Sequence, residues 1–307
     1  RFAPPTLLKR MVLAGQYGGI GVQVQHASDG NFVLYPFPGG PAAQAGIADG
    51  DILLAVNDWV VEITERIDVV DQAMRGEVRD GNGVTLRVLK RATGEEREYT
   101  IAFAVIEVPS VVWRTLVEEP RIGYIQVLRF TSRTPQELRA ALQGLLERGL
   151  DGWILDVRNN SGGLLQEAIE VADEFLDGGV IVYERTRDEE REHDAEAGGL
   201  GTVLPMVALV NQGTASAAEL VAGALRDQGR AFVIGQRTYG KGSVQLIFPL
   251  SDGSSIHVTS AEWFTPNHTP LERNGLEPDI SMIPAEDGRD VELGEAIRYL
   301  RQQFEQR

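Results

Sequence analysis

The chain has 307 residues, 43% of them hydrophobic, and a formal net charge of −16 at pH 7. This length and apolar content suffice for two soluble globular domains with ordinary cores. Because acidic residues outnumber basic ones, no basic patch remains for a nucleic acid or an anionic membrane. Cysteine is absent, which excludes disulfides, cysteine nucleophiles and thiolate metal sites.

The start of the chain predicts a missing N-terminal part. The chain begins at Arg1 without a methionine, and residues 1–17 are too short for a core of their own. We expect these residues to finish a helical element, after removal of a part that could have carried a signal or an anchor. No apolar run approaches the roughly 18 residues of a membrane helix, so no span is expected within the chain.

Residues 18–105 have the pattern of a small, mostly β domain. The glycines of G18-G-I-G-V22 precede alternating apolar and polar residues, which is typical of a flexible loop that leads into a strand. Turn residues punctuate the rest of the span, as expected of short strands. The predicted strands include residues 52–56, 84–90 and 98–105.

This span resembles a PDZ domain of the bacterial protease type, and the segment from Gly39 to Asn57 (GGPAAQAGIADGDILLAVN) carries the resemblance. The resemblance implies that residues 67–76 form the groove helix. Backbone N–H groups freed by glycine conformations can hold a terminal carboxylate, while an extended peptide pairs with the strand edge. The alternative is that the glycines make only a turn. The implied tail-binding residues are Gly19, Ile20, Gly21 and Val22.

Residues 106–284 alternate strand and helix patterns, which predicts an α/β domain with its sites at strand-to-helix turns. Residues 184–202 are charged and end in glycines, so they are expected to form a solvated excursion or a mobile flap. In residues 285–307 a closing helix is predicted, because its apolar residues recur on one face. Those residues are Leu293, Ala296, Ile297 and Leu300.

Ser216 lies where one of these strands gives way to a helix. The apolar run Val203–Val210 ends in the polar corner N211-Q-G-T214, and a helix of small residues starts at about Ser216. Unpaired N–H groups and the positive end of the helix dipole converge there, which favours a developing negative charge. Most serines before helices only cap them, so that alternative stays open at this point.

Lys241 lies between two glycines in Y239-G-K-G-S243, and Gln245 follows it by four positions. A lysine can act as a general base when burial lowers its pKa enough to leave the amine neutral. The alternative is a solvated, charged lysine in a glycine turn.

The block N211-Q-G-T-A-S-A-A-E219, the 25-residue step from Ser216 to Lys241 and the four-residue step to Gln245 resemble the carboxy-terminal processing (tail-specific) proteases. The resemblance implies a layered ClpP/crotonase-like α/β protease core with an inserted PDZ domain. By it, Ser216 is the nucleophile, Lys241 the base and Gln245 the residue that positions the lysine. It also implies substrates with free C-termini, no cofactor and no metal, and an extracytoplasmic place in the periplasm or cell envelope. A homodimer or an activating adaptor is left open.

The turn R158-N-N-S-G-G163 resembles the D-x-R-x-N-x-G-G element of the same family, with Ser161 where proline is common. The resemblance implies an oxyanion hole made of the backbone N–H groups of Gly162 and Ala217. A Gly-Gly pair after a strand can equally be a simple helix entry.

Two other functions are weighed against a protease. A catalytically silent PDZ scaffold on the same fold would bind tails without cutting them. A Ser-His-Asp hydrolase could use His257, which lies 41 residues after Ser216, but no G-x-S-x-G elbow surrounds the serine. The other histidines, at positions 26, 193 and 268, form no HxxxH or HExxH spacing and predict no metal site.

Overall fold

The computed structural model of the protein describes residues 16–27, 30–249, 254–285 and 289–306. The chain divides into two compact units, one of residues up to 109 with 284–290, the other of residues 110–283 and 291–307. The helix expected at the start is wrong for Gln16 and Tyr17, which lie in a strand, and residues 1–15 lie outside the described part. None of the helices in the described ranges has the length and apolarity to cross a membrane.

In its described residues, the first unit consists of short strands and two helices. Its strands are β1 (Gln16–Gly19), β2 (Val22–His26), β3 (Phe32–Pro36), β4 (Asp51–Val56), β5 (Trp59–Val60), β6 (Gly83–Leu89), β7 (Glu96–Ala102) and β8 (Ala104–Glu107), and its helices are α1 (Pro41–Ala45) and α2 (Ile67–Ala73).

Strands β2, β3, β4, β6 and β7 form one sheet in that order, with β5 paired to β4. Side chains of β6 alternate, so that Val84, Leu86 and Val88 are buried and their neighbours are not. This period of two is what a sheet with one covered face requires. The single last strand predicted for residues 98–105 is wrong, because β7 stays in the main sheet while β8 pairs with β1. Between them Phe103 packs against Gly76.

The second unit alternates strands and helices as predicted. Its strands are β9 (Val111–Thr115), β10 (Ile122–Val127), β11 (Gly152–Asp156), β12 (Val180–Arg185), β13 (Glu190–Asp194), β14 (Met206–Val210), β15 (Phe232–Gly235), β16 (Ser243–Pro249), β17 (Ser255–Phe264) and β18 (Ile280–Ser281), and its helices are α3 (Thr134–Leu146), α4 (Leu165–Asp173), α5 (Ala217–Asp227) and α6 (Val291–Phe304).

The central sheet of this unit has the order β18-β15-β14-β11-β10-β9 and is parallel except for β9. Helices cover both of its faces, so β11 and β14 are buried along their whole length. On one face Leu155 joins the core under α3, α4 and α5, and on the other Ile154 packs in the core under α6. The carboxyl ends of β11, β14 and β15 therefore meet at one edge, where the loops into the site begin.

A second sheet has the order β13-β12-β17-β16. It contains the hairpin predicted from residues 243–263, as β16 and β17. The segment of residues 184–202, expected to be a solvated excursion or a mobile flap, contains the end of β12 and all of β13, which pair as an antiparallel ladder. Its charged side chains lie mostly on the surface, which explains the composition without a structureless loop.

Candidate active site

Ser216 occupies a sharp corner between β14 and α5. Its backbone has φ 58° and ψ −124°, a conformation that residues other than glycine rarely adopt. The residue is 7% exposed and is flanked by Ala215 and Ala217, which are small enough to let the chain fold back tightly. In α/β-hydrolases a strained strand-to-helix corner, there within a G-x-S-x-G pattern, exposes the nucleophile in the same way.

Glu219 connects this corner to the loop that carries Lys241. Its buried carboxylate accepts the backbone N–H of Ser216 at 2.8 Å and that of Lys241 at 2.9 Å, both on Oε2. Its Oε1 accepts the N–H of Gly240 at 2.7 Å and the hydroxyl of Thr238. Four donors satisfy a carboxylate that is 0% exposed, as burial of such a group demands.

The side chain of Lys241 is exposed, so the burial expected for it is absent from this structure. Its backbone is fixed, however, because the preceding Gly240 has φ +88° and packs against the backbone of Arg273, Asn274 and Gly275. The glycine-flanked lysine is therefore an exposed amine on a well-anchored loop.

Gln245 lies in β16, where its backbone pairs with Thr259. The register of the β16–β17 ladder shifts between Val244 and Gln245, so the step from Lys241 to Gln245 crosses a loop, a strand start and a bulge. The backbone between Lys241 and Gln245 is therefore not a flat, extended strand, which would hold the two side chains too far apart to touch. The Gln245 side chain lies outside the described part, and so does that of His257, so a contact between Gln245 and Lys241 stays a prediction.

Gly162 lies directly against the serine. A Cβ atom at Gly162 would come within 2.8 Å of the Ser216 Cβ and 3.1 Å of the Ala217 nitrogen, so only glycine fits. The Gly162 N–H already donates to Oδ1 of Asn160 at 2.8 Å, and in this arrangement it is not presented to a substrate. Ala217 is the first residue of α5, where a backbone N–H has no acceptor within the helix.

The two loops at this edge are locked to each other by their amide side chains. Asn211 Nδ2 donates to Oδ1 of Asn159 at 3.0 Å, and the Asn159 N–H donates back to Oδ1 of Asn211 at 2.9 Å. The Ala215 N–H donates to the carbonyl of Asn160 at 2.9 Å. These bonds hold the loop after β11 and the loop after β14 in one register.

Glu219, Thr238 and the asparagines were missed by the sequence analysis. The spacing S216-A-A-E219 has the form of a capping box, which is the signal that could have marked Glu219. Its bonds to Gly240 and Lys241 span 21 and 22 residues and leave no local signature. Within the described ranges no three His, Asp or Glu side chains gather into a group that could hold a metal.

In the first unit, the loop predicted to bind a carboxylate has two carbonyls turned inward. That of Ile20 accepts the Ala42 N–H and that of Gly21 accepts the Phe37 N–H, both at 2.9 Å. In a trans peptide the following N–H points the opposite way, so the N–H groups of Gly21 and Val22 point away from these partners. This orientation is the one that a carboxylate-binding loop needs.

Tyr17 packs over the same loop. A Cβ atom at Gly19 would come within 2.7 Å of Cε2 of Tyr17, and the Arg75 guanidinium lies 4.3 Å from the centre of the tyrosine ring. Burial raises the pKa of the Tyr17 phenol, whose oxygen is hydrogen-bonded to the backbone of Val22. A tail that reached Val22 would have to displace this hydroxyl.

Comparison with known families matches residues 121–282 to peptidase family S41 and residues 32–80 to a PDZ domain. The carboxyl-terminal-processing protease of Synechocystis sp. is 38% identical over 274 residues, covering 88% of this chain and 64% of the relative. Carboxyl-terminal-processing peptidase 2 of Arabidopsis thaliana, a chloroplastic protein, is 37% identical over 295 residues, covering 91% and 56%. The chain thus spans about 56% to 64% of the length of these two relatives.

Solved structures give the same assignment. The photosystem II D1 C-terminal processing protease superposes with a TM-score of 0.54 at 30% identity, over 92% of this chain and 77% of that one. An S41 protease from Bacteroides fragilis shares the fold, with a TM-score of 0.61 at 16% identity over 98% and 91% of the two chains. These likenesses confirm the predicted α/β protease fold with a PDZ domain. The chain belongs to peptidase family S41, among the carboxyl-terminal processing proteases.

Proposed function

We propose that this chain is a serine endopeptidase in which Ser216 attacks, Lys241 is the base and Gln245 positions the lysine. The observation that carries the proposal is the single buried carboxylate of Glu219, which holds the backbones of both Ser216 and Lys241. A nucleophile and its base act together only when their relative position is fixed. The family to which the chain belongs supports the same chemistry.

In the reaction, the Ser216 hydroxyl adds to the carbonyl carbon of the scissile peptide bond as its proton passes to the neutral amine of Lys241. The lysine then protonates the leaving amine, and an acyl-enzyme remains. A water molecule gives a proton to the same lysine and attacks the ester, and the lysine returns that proton to the departing Ser216 oxygen. The Ala217 N–H is aimed at the developing oxyanion by its place at the start of α5. Gly162 joins it by exchanging its bond to Asn160 for one to the substrate.

A bound polypeptide supplies the burial that Lys241 lacks. Exposed apolar side chains flank both loops, with Leu164 50% exposed after the glycine pair and Tyr239 69% exposed before Gly240. An extended substrate with apolar residues would cover them and exclude water from the lysine. Desolvation favours the neutral amine that a general base requires.

The PDZ domain recognises the substrate by its C-terminal tail. Strand β2 lies at the end of its sheet and α2 packs beside it, so a peptide can add to β2 as a further strand. The outward N–H groups of Gly21 and Val22 receive the terminal carboxylate. This predicts a preference for apolar tails with a free C-terminus.

Two observations favour the alternative, a silent scaffold that binds tails without cutting them: Lys241 is exposed, and the Gly162 N–H is bonded to Asn160. Incubation of the chain with β-casein, an unfolded protein with an apolar C-terminus, separates the two. We expect fragments with the wild-type chain and none with Ser216→Ala, while both proteins bind a peptide of the same tail. Binding without cleavage by the wild type would favour the scaffold, and equal cleavage by both would remove Ser216 as nucleophile.

We further propose that the protein acts outside the cytoplasm, in the periplasm or cell envelope, as the resemblance implies. Fractionation of source cells with an antibody to this chain tests the location, and a purely cytoplasmic signal would contradict it. A homodimer or an activating adaptor remains open, and sedimentation with and without β-casein tests the first.

A further inference from the structure

The carboxylate of Glu292 lies behind the two loops of the candidate site. Glu292 is the second residue of α6, and it is 6% exposed. Its Oε2 accepts a hydrogen bond from Nη1 of Arg158 at 2.7 Å, and its Oε1 accepts one from Nε2 of Gln236 at 2.9 Å. One oxygen thus serves each partner, and the first turn of a helix is a favourable place for the negative charge.

Each partner stands at the start of a functional loop. Arg158 follows β11 and precedes Gly162 by four residues, while Gln236 follows β15 and precedes Lys241 by five. The Gln236 N–H also donates to the carbonyl of Val210 at 3.0 Å, which ties the loop that contains Lys241 to the strand that leads to Ser216. Glu292 therefore connects the start of the loop at residues 158–164, here called the oxyanion loop, to the start of the loop at residues 236–242, the lysine loop.

Asp156, two residues before Arg158 in the chain, also holds the arginine in place. Nη2 of Arg158 donates to Oδ2 of Asp156 at 2.6 Å, the Arg158 N–H donates to Oδ1 at 2.9 Å, and Tyr124 donates its hydroxyl to Oδ2 at 2.6 Å. Asp156 is 0% exposed, and the Arg158 side chain is 13% exposed. A buried network of this kind holds one geometry when it is complete and loosens when one member is lost.

We propose that Glu292 is a positioning residue for the peptidase reaction, through which the C-terminal helix α6 sets the oxyanion loop and the lysine loop at one mutual distance. The catalytic part of this inference rests on the proposed function, whereas the coupling of the loops does not. Displacements on the order of 1 Å at a reacting centre can cost about 100-fold in rate. We therefore expect loss of Glu292 to lower kcat and to leave KM nearly unchanged.

The test compares Glu292→Gln with Glu295→Gln, one turn along the same helix, which removes only the surface pair with Arg298. The amide that Glu292→Gln introduces carries no negative charge, so the charge-assisted bond from Arg158 becomes a weaker bond to a neutral acceptor, and the Gln236 amide must turn over to stay paired. With β-casein as substrate, we expect Glu292→Gln to lose at least about tenfold in kcat, and Glu295→Gln to stay within about twofold of wild type. Equal kcat in wild type and Glu292→Gln, both folded, would overturn the inference.

A double variant supplies the rescue that a merely structural loss would not show. When Glu292→Gln is combined with Gln236→Glu, the amide and the carboxylate exchange places. The amide on α6 then donates to the carboxylate on the lysine loop and still accepts from Arg158, so the negative charge lost in the single variant is returned to the network. Recovery of most of the lost kcat supports the inference, and no recovery in a folded double variant contradicts it.

Hydrogen exchange measured by mass spectrometry tests the coupling without cleavage. Glu292→Gln should speed exchange in residues 158–164 and 236–242 together, and Gln236→Ala only in 236–242. Unchanged exchange in Glu292→Gln would sink the coupling. If the wild type fails to cut β-casein yet the exchange pattern appears, the proposed function fails while the coupling by Glu292 stands.

Discussion

The backbone N–H groups of Ser216 and Lys241 donate to the same oxygen atom, Oε2 of Glu219, although the two residues are 25 positions apart. A carboxylate with several N–H donors holds them in fixed directions, and each charge-assisted bond is stronger than a neutral one. The serine corner and the lysine loop therefore cannot shift independently.

Glu219→Gln should lower kcat by about 100-fold, because the amide nitrogen would face backbone donors and force the lysine loop away. The kcat for β-casein, measured alongside thermal unfolding, checks this. The matched control is Glu167→Gln, which changes the same residue type in the first turn of α4. Full activity in Glu219→Gln would show that the shared acceptor has no part in positioning.

Lys241→Arg should abolish cleavage, with a loss of about 10²–10⁴-fold, because a guanidinium stays protonated and cannot take the serine proton. Since the lysine side chain is exposed, the fold should be unaffected and the unfolding temperature unchanged. Binding of a tail peptide should also be unchanged. An active Lys241→Arg protein, or a His257→Ala protein as inactive as Ser216→Ala, would assign the base elsewhere.

Gly21→Ala should weaken binding of a peptide that ends in Ala-Val with a free carboxylate, measured by fluorescence anisotropy on the Ser216→Ala chain. Gly21 has φ +71°, and a Cβ there would lie 3.2 Å from Cδ1 of Ile106, so the loop must shift. We expect a loss of about tenfold, corresponding to one unmade charge-assisted bond.

The control for this variant is Gly81→Ala, also at a positive φ of +82° but with no atom within 4 Å of the added Cβ. It carries similar backbone strain and should leave peptide binding unchanged. The amidated form of the peptide should bind the parent chain less tightly. Equal affinities for the two peptides would mean that the glycine loop is only a turn.

Glu119→Gln should destabilise the second unit near neutral pH and have little effect in acid. Hydrogen bonds from Arg121 and then Arg301 lower the pKa of the Glu119 carboxyl from its ordinary value of 4.5 to about 2. A depressed folded-state pKa means that the stabilisation is complete above about pH 4.5 and is lost as pH falls towards 2.

Both arginine side chains are about half exposed, at 51% and 50%, so we expect a loss of only about 1 kcal/mol at pH 7. Thermal unfolding from pH 2 to pH 8 measures it, with Glu118→Gln as the control one residue away. If the difference in unfolding temperature between wild type and Glu119→Gln grew as the pH fell, the prediction would be wrong.

Local patterns predicted much of this fold. The apolar run before N211-Q-G-T214 and the small-residue helix after it marked the corner at Ser216, because strand and helix periods are written into neighbouring residues. The β16–β17 hairpin was found for the same reason. The split between β7 and β8 was not, since strand propensity continues through Phe103 while the pairing partner changes.

The parts of the site that depend on distant partners could not be predicted. Glu292 meets Arg158 across 134 residues, and nothing near either one signals the pair. The exposure of Lys241 was missed because a glycine-flanked lysine has the same sequence whether it is covered or open. The strain at Ser216 has no pattern of its own, since any small neighbours would permit it.

The reciprocal bonds between Asn159 and Asn211 limit how such a protein can diverge. Inserting or deleting one residue in either loop would separate both asparagines at once and pull Gly162 away from Ser216. The two loops must therefore keep their lengths together over evolutionary time, and a change in one is tolerated only with a matching change in the other. Length can vary more freely at the turn between β12 and β13, residues 186–189, whose hydrogen bonds are local.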